Sequence, residues 1–410
     1  MSATHAVDLL SPEATADPYT ALAELRESDP VHYSDRHKAW IITRYDDVVS
    51  AMMDSRLSSA RVGPVLERMR AEGADAHATE MLEVLNSWMV VQDPPEHTRL
   101  RKLAAGAFKS QRISAMEEQV AEMVAGYLDA FVASGKTDLV QHVAYPLPAS
   151  IIAMLLGAPV EDRDTFGEWS DELALVAFGA GGSAREDRHE RALKGVREMF
   201  AYLRTLLERV RETPGEDMIS ALIAPVEDGD SLTDHEVLSM CAMLLFAGHE
   251  TTTNSTANGI LALLRDPEQL ALLRDDPDQI AVAVEELLRF DGPIKVLQRH
   301  VTETHEVAGH ELAQGDRVFI ALAAANRDPE KFDEPDRLDI TRYPNKHVAF
   351  GRGIHACIGA QLARLEMRVN VQGILERLDG LRLEEGTELQ WAPSIASRSL
   401  TRLPVLHDAV

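Results

Sequence analysis

Hydrophobic positions in this chain recur mostly at the helical spacing of three and four, and only short stretches alternate as a strand requires. Across residues 111–212 the helical pattern is almost continuous, broken at Gly135, Pro146-Leu147-Pro148, Gly157-Ala158-Pro159 and Phe178-Gly179-Ala180-Gly181-Gly182. A second long helix is predicted from Thr233, where Glu236 completes a capping-box pattern, to Arg265, where Asp266-Pro267 stops it. At 1.5 Å per residue it would run about 48 Å. A third opens after Gly359, with Leu362, Leu365 and Val369 on one face. Shorter helices are predicted over residues 17–27, from Asp46-Asp47, and after Asp93-Pro94-Pro95. Strand-like runs occupy 31–33 and 39–44, joined by a polar turn at Asp35-Arg36. Hairpin signals stand at Val307-Ala308-Gly309-His310 and Gln314-Gly315-Asp316-Arg317, and residues 399–405 read as an extended pair. Residues 58–86 are charged and weakly periodic, and read as helix fragments and loop. Together these elements predict a mainly α fold with small β-sheets.

No repeat, low-complexity tract or shift of composition marks a linker, so residues 1–410 are expected to form one large domain. A hydrophobic content of 45% with 26% charged residues is ordinary for a soluble globular protein of a size that can enclose a cofactor. The net charge of −26 argues against nucleic acid, whose phosphates need a basic footprint. The first residues lack a basic start followed by an apolar run, and no apolar run spans a bilayer, so the expected location is the cytoplasm. Two cysteines, Cys241 and Cys357, could pair, but a cytosolic setting disfavours a disulfide.

Candidate chemistry gathers in three places. Phe350-Gly351-Arg352-Gly353-Ile354-His355-Ala356-Cys357-Ile358-Gly359 puts a cysteine behind a glycine-rich loop at the mouth of a helix. A lone intracellular cysteine is ordinarily a small buried hydrophobe. At a helix N-terminus, however, the macrodipole and free N–H groups favour a thiolate, and a thiolate is a strong axial ligand for haem iron. Gly351, Gly353 and Gly359 permit positive φ and a close approach of backbone to a flat ligand. His97 and Arg101 stand four apart on one helical face, either solvated or donating together to an anion. The middle of the long helix, Ala247-Gly248-His249-Glu250-Thr251-Thr252-Thr253, sets a glycine, an acid and poor helix formers where Ala or Leu would be stable. Alcohols bonding back one turn account for some of these residues, and not for the glycine, acid and alcohol together.

The cysteine loop resembles the haem-ligand segment of the cytochrome P-450 superfamily, F-G-x-G-x-H-x-C-x-G, at every fixed position, and the family's Leu362-Ala363-Arg364 follows. The resemblance extends over nearly the whole chain, with five motifs in the family's order. It implies haem b with Cys357 as the iron ligand, in a loop that includes Phe350, Gly351 and Gly359. His97, Arg101, Arg299 and His355 would face the two haem propionates. Ala247, Gly248, Glu250 and Thr251 match A-G-x-[DE]-T on the oxygen side: Gly248 would let the helix widen for O2 or water, Thr251 would steady oxygen by its hydroxyl, and Glu250 would bring protons from solvent. Glu286-Leu287-Leu288-Arg289 is E-x-x-R, alone no more than an i, i+3 ion pair; in the family it is joined by an arginine of a P-D-R-F-like segment, here Arg337, with Leu338 replacing the usual Phe.

What the resemblance implies about function is a monooxygenase that inserts one atom of O2 into a small, largely apolar organic substrate. The electrons would come ultimately from NAD(P)H through a ferredoxin reductase and a ferredoxin to this monomer, and no membrane or nucleic acid would take part. Lys109, Arg112, Arg342, Lys346, Arg352 and Arg364 would form a basic docking patch on the cysteine side. Pocket candidates by position are residues 88–91 including Val90, then Met243, Phe246, Ala247, Ile294, Lys295, Leu297, Ile395 and Ala396. Strand alternation would put Lys295 and Leu297 on the haem-facing side with Arg299, where Lys295 would either pair a substrate carboxylate or stand solvated at the rim. The glycine cluster at 178–182 would lie near the helices that cover substrate. A peroxide-driven peroxygenase is the rival enzyme, against which Glu250-Thr251 argues; a haem-based sensor or ligand carrier is the rival of another class.

Overall fold

A computed structural model of the chain describes residues 7–73, 75–177, 187–224 and 230–408. The helix Asp234–Arg265 runs through the middle of the largest apolar core. It starts as its sequence dictates: the Thr233 hydroxyl accepts the Glu236 N–H at 3.3 Å, and the Glu236 carboxylate accepts the Thr233 N–H at 2.7 Å. Such a box satisfies two of the donors that a helix start leaves free. From Thr252 to Leu263 every side chain is buried, so this helix is shielded on all sides and not on one stripe. Three of its alcohols bond back one turn. Thr251, Thr253 and Ser255 donate to the carbonyls of Ala247, His249 and Thr251.

Packed against it are Pro146–Leu155, Arg163–Ala177, Arg188–Glu212, Ile280–Asp291 and Ala360–Arg377, the helix that follows the cysteine. Thr256 reaches the Met367 sulfur at 3.7 Å and Asn370 reaches Thr256 at 3.1 Å, tying the long helix to the cysteine helix inside the core. A five-stranded sheet lies beside the helices in the order Val31–Ser34, Ala39–Ile42, Arg317–Ala321, Val296–Val301, Leu57–Ser58. Its one parallel pairing, Ala39–Ile42 with Arg317–Ala321, brings an early segment of the chain against a late one. The pair His305–Val307 and His310–Leu312 closes through Ala308 at φ +48° and Gly309 at φ +86°, the doubly positive turn that a two-residue hairpin requires.

Two expectations change. Residues 58–86 contain two full helices, Val62–Glu72 and Ala76–Asn86. Ser399–Leu400 and Val405–Leu406 do not pair with each other: one joins Trp391–Ala392, the other Arg382–Leu383. The glycine cluster at 178–182 lies outside the described residues. No helix of the described residues is long and apolar enough to cross a membrane.

Candidate active site

Cys357 is held by a loop that turns twice with positive φ, at Gly351 (+67°) and Gly353 (+71°). A Cβ at Gly353 would also stand 3.1 Å from the Met52 carbonyl oxygen. Gly359 departs from expectation: its φ is −86°, so no left-handed backbone calls for glycine there. The Cys357 N–H donates to the Phe350 carbonyl at 2.8 Å, and Arg101 Nη2 donates to the Ala356 carbonyl at 2.6 Å. Cys357 is reachable by solvent, yet protein surrounds it closely enough for desolvation to push its thiol up. The Gly359 N–H, Arg101 and Arg364 pull the other way and do not overcome this. The helix mouth by itself therefore does not outweigh burial of this thiol, whereas a bound cation favours the thiolate.

Beside this loop stand polar groups without partners. His97 is 1% exposed and neither ring nitrogen has a hydrogen-bond partner; His355 Nε2 is likewise buried and unpartnered. Their rings lie 4.1 Å apart. Burial, then each other's proximity and neighbouring guanidinium groups, pushes His355 down to about 3, and burial and Arg101 lower His97. Arg299 is 8% exposed and pushed down to about 10, by burial and then by Arg61. The acid among their charged neighbours is Asp93, and its oxygens are already taken by the Ser58 hydroxyl at 2.5 Å and the Ser59 N–H at 3.0 Å. Buried donors and cations left in this state cost free energy unless an anion meets them.

The third part lies on the long helix. Glu250 is pushed up to about 7 by desolvation; Ser399 and Asn254 hydrogen-bond to it, and nearby Asp171 adds like-charge repulsion. Ser399 Oγ donates to Glu250 Oε1 at 3.4 Å, and Glu250 Oε2 is buried without a partner. The Thr251 hydroxyl donates to the Ala247 carbonyl at 2.6 Å, bonding back one turn within the helix Asp234–Arg265. Gly248 has another reason to be glycine: a Cβ there would lie 2.8 Å from Ile152 Cδ1 on the helix Pro146–Leu155. His249, between these residues, is turned away; its Nε2 meets the Tyr145 carbonyl at 2.9 Å.

Residues 66–390 match the family model for Cytochrome P450. The chain belongs to the cytochrome P450 family. It is 40% identical over 404 residues to the cytochrome P450 monooxygenase PikC of Streptomyces venezuelae, covering 97% of this chain and 92% of that protein. It is 41% identical over 403 residues to a vitamin D(3) 25-hydroxylase of Pseudonocardia autotrophica, covering 97% and 96%. The crystal structure of CalO2 superposes with a TM-score of 0.90 at 31% identity, over 98% of this chain and 99% of that one. The protein is thus an oxidoreductase of the P450 class, and the family implies haem b and O2-dependent oxidation of small organic molecules.

The residues present fit the haem of a P450. Among the described residues no group of three or more His, Cys, Asp or Glu could hold a bare metal ion, whereas haem iron asks the protein for one sulfur. Two propionates would answer the orphaned nitrogens of His97 and His355 and the cation of Arg299. Arg101 spends one nitrogen on the Ala356 carbonyl and keeps the others for an anion.

The brace below the P450 cysteine loop is a correction. Glu286 and Arg289 are both fully buried and bonded at 2.7 Å and 2.8 Å. The third partner is Arg342 and not Arg337: Arg342 Nε stands 3.2 Å from Glu286, while the Arg337 side chain is 62% exposed and bonds Glu334. Arg289 uses Arg337 only through its carbonyl, at 3.2 Å. The turn over residues 335–342 folds back so that the second arginine of Arg337-Leu338-Asp339-Ile340-Thr341-Arg342 enters the core. Leu338 is buried, in keeping with a packing role.

Among the pocket candidates, Trp88, Met243 and Phe246 are buried, and the Trp88 and Phe246 rings pack at 5.5 Å, while Val90 is 42% exposed. Ile294 and Leu297 are partly buried against one apolar cluster and Ile395 against another. Lys295 breaks the expected alternation. The N–H groups of Lys295 and Val296 both point to the Ala396 carbonyl, at 2.7 and 3.3 Å, a bulge that takes Lys295 out of step with Arg299. Lys295 is 4% exposed, and burial, opposed in part by Asp291 and reinforced by Arg398, pushes its amine down to about 8. Its charged neighbours are thus the Asp291–Arg398 ion pair and not the Asp93–Arg299 group. The basic patch is also smaller than its sequence suggested. Arg342 serves Glu286, and Arg364 bonds Glu285 at 2.6 and 2.9 Å while lying 4.4 Å over the Phe350 ring. Arg112 donates to the carbonyls of Glu216 and Asp217.

Sequence reasoning missed the roles of Asp93, Arg342, Asn254 and Ser399 in the site. Asn254 was within reach of it, since residues four apart on a helix are neighbours; which of two arginines turns inward, or where a distant serine lands, is set only by the folded loops.

Proposed function

We propose that this P450 is a haem-thiolate monooxygenase that inserts one atom of O2 into a small, largely apolar organic substrate, with electrons from a ferredoxin-type partner. The observation that carries this reading is the set of buried, unpartnered ring nitrogens of His97 and His355, with the buried cation of Arg299, which no acid pairs, beside the Cys357 loop and Glu250 and Thr251 on the core helix. When bound, haem supplies O2 activation and oxygen transfer, which no amino-acid side chain offers. Cys357 holds the iron, and the Phe350 carbonyl and Arg101 keep its loop in place. His97, Arg101, Arg299 and His355 hold the propionates and so orient the macrocycle. Glu250, raised to about 7, carries a proton near neutral pH and has a free Oε2 from which to give it. Thr251 passes that proton on when its hydroxyl turns from the Ala247 carbonyl. Trp88, Met243 and Phe246 give the pocket apolar walls, which suits an apolar substrate such as the vitamin D(3) in the name of the hydroxylase relative.

For the partner, Lys109, Lys346 and Arg352 are exposed near the cysteine loop; Phe108, beside Lys109, packs 3.9 Å from the position of a Gly359 Cβ. These three, more than the engaged Arg112, Arg342 and Arg364, support docking of an acidic ferredoxin.

The test is spectral and then chemical. Reduced, carbon monoxide-treated holoprotein should show the thiolate band from which the family takes its name, and Cys357→Ser should lose it. Turnover with ferredoxin, its reductase and NAD(P)H should exceed turnover with peroxide, and reversing Lys346 and Arg352 to Glu should raise the partner's KM at low salt. Faster peroxide turnover, or reversible ligand binding without product under any electron supply, would overturn the monooxygenase reading.

A further inference from the structure

The strand Leu57–Ser58 pairs antiparallel with Val296–Val301, Ser58 opposite His300, so the chain leaving Ser58 runs beside Arg299. That exit is fixed. Asp93 binds the Ser58 hydroxyl and the Ser59 N–H, and the Arg61 N–H closes on the Ser59 carbonyl at 2.7 Å. Arg61 therefore stands on an anchored turn, partly buried, and its guanidinium makes no hydrogen bond or ion pair among the described residues. Its desolvation is not offset by any acid, and it is the cation that Arg299 feels most. Two guanidinium groups held together in a medium of low polarity repel each other, and Asp93 is shared by Arg299, His97, His300 and His355. The arrangement has more positive charge and donors than the protein's own acids can answer.

We propose that Arg61 is a fifth haem-propionate ligand, sharing with Arg299 the carboxylate at that end of the cluster. This rests on the reading that the chain binds haem. Arg61 lies in no haem motif of the sequence; the strand register beside Arg299 assigns it. A guanidinium pair on one carboxylate also fits the fork geometry better than a pair of ammonium groups would.

The experiment compares ferric wild-type holoprotein with Arg61→Gln, Arg61→Lys and Arg299→Gln, following haem transfer to excess apomyoglobin. Loss of one charge-assisted contact predicts that Arg61→Gln releases haem about tenfold faster or more, with Arg61→Lys between it and wild type. The double variant Arg61→Gln/Arg299→Gln should release haem less rapidly than the product of the two single effects, because both act on one carboxylate. Urea unfolding of the apoproteins guards against a folding defect: relief of repulsion predicts that Arg61→Gln apoprotein is as stable as wild type or more so. An unchanged transfer rate in Arg61→Gln overturns the proposal. So does an unchanged rate with loss of Soret shifts caused only by carboxylic-acid ligands, which would place Arg61 against substrate. If wild type itself takes up no haem, the haem reading falls, a failure separate from that of Arg61.

Discussion

Replacing Arg342 and Arg337 in parallel tests the brace under the cysteine loop. The side chain of Arg342 is 12% exposed and donates from Nε to the fully buried Glu286 at 3.2 Å and from Nη1 to the Asp333 carbonyl at 2.9 Å. Arg342→Met keeps most of the stem and removes both. A hydrogen bond to a charged group contributes about 1.5–3 kcal/mol and one to a carbonyl about 1 kcal/mol. Glu286 would keep Arg289, the Asp339 N–H and Asn345, so the full ~3–5 kcal/mol of a broken buried pair should not be reached. The expected loss is about 2–3 kcal/mol, a large share of the ~5–15 kcal/mol that holds a folded domain. Arg337→Ala removes an exposed pair with Glu334 and leaves intact the carbonyl that Arg289 uses, so it should cost about 0.5 kcal/mol or less. Urea unfolding of the two apoproteins, followed by tryptophan fluorescence and by far-UV circular dichroism, gives both values if the two signals coincide. Equal losses, or a greater loss for Arg337→Ala, would refute the assignment of Arg342 to the brace.

Gly248→Ala should destabilise the protein by overpacking against Ile152, by about 1–2 kcal/mol after the helix-propensity gain. In an Ile152→Val background, which removes the Cδ1 atom it would strike, the same change should stabilise by up to about 1 kcal/mol; urea unfolding of the four proteins checks the reversal of sign. Because burial raises Glu250 above its unfolded value, the folded state holds the extra proton between pH 4.5 and about 7. Its contribution to stability is therefore present below pH 4.5 and is lost as pH rises to about 7, with a slope of up to ~1.4 kcal/mol per unit that Glu250→Gln should abolish. Product formed per electron consumed should fall above pH 7 in wild type and show no such step in Glu250→Gln. For Glu285, desolvation is outweighed by His347 and Arg364, which hold the carboxylate at about 2. Its stabilisation is present above pH 4.5 and lost as pH falls toward 2, so acid unfolding of Glu285→Gln should show a shallower dependence in that window. An unaltered acid limb would mean that the Glu285–Arg364 contact with Phe350 adds nothing.

The parts of this P450 that could be read from its sequence are those whose geometry is local. Cys357 and its positive-φ glycines, the Thr233 capping box and the stop at Asp266-Pro267 depend on neighbours within a turn or two, and the structure realises them where the residues stand. The helices Val62–Glu72 and Ala76–Asn86 were hidden by weak periodicity, although Gly73 at φ +64° and Asp75, whose side chain accepts the Ala78 N–H, are ordinary stop and start signals. Arg337, Lys295 and Arg364 went astray for a different reason. Each lies in or next to a motif, and the motif fixes the chemistry of a segment without fixing which way a side chain leaves it. The fold-back of residues 335–342 sends Arg342 inward, and the shared Ala396 carbonyl puts Lys295 out of step. Glu285, one residue before the E-x-x-R glutamate, draws Arg364 onto Phe350 and off the surface. Two of these displacements, those of Arg342 and Arg364, use charge for internal bracing of the segments around the cysteine. Fewer cations are therefore left exposed around the cysteine loop than the motifs suggest, and under the proposed function the steering of a redox partner would fall mostly to Lys109, Lys346 and Arg352.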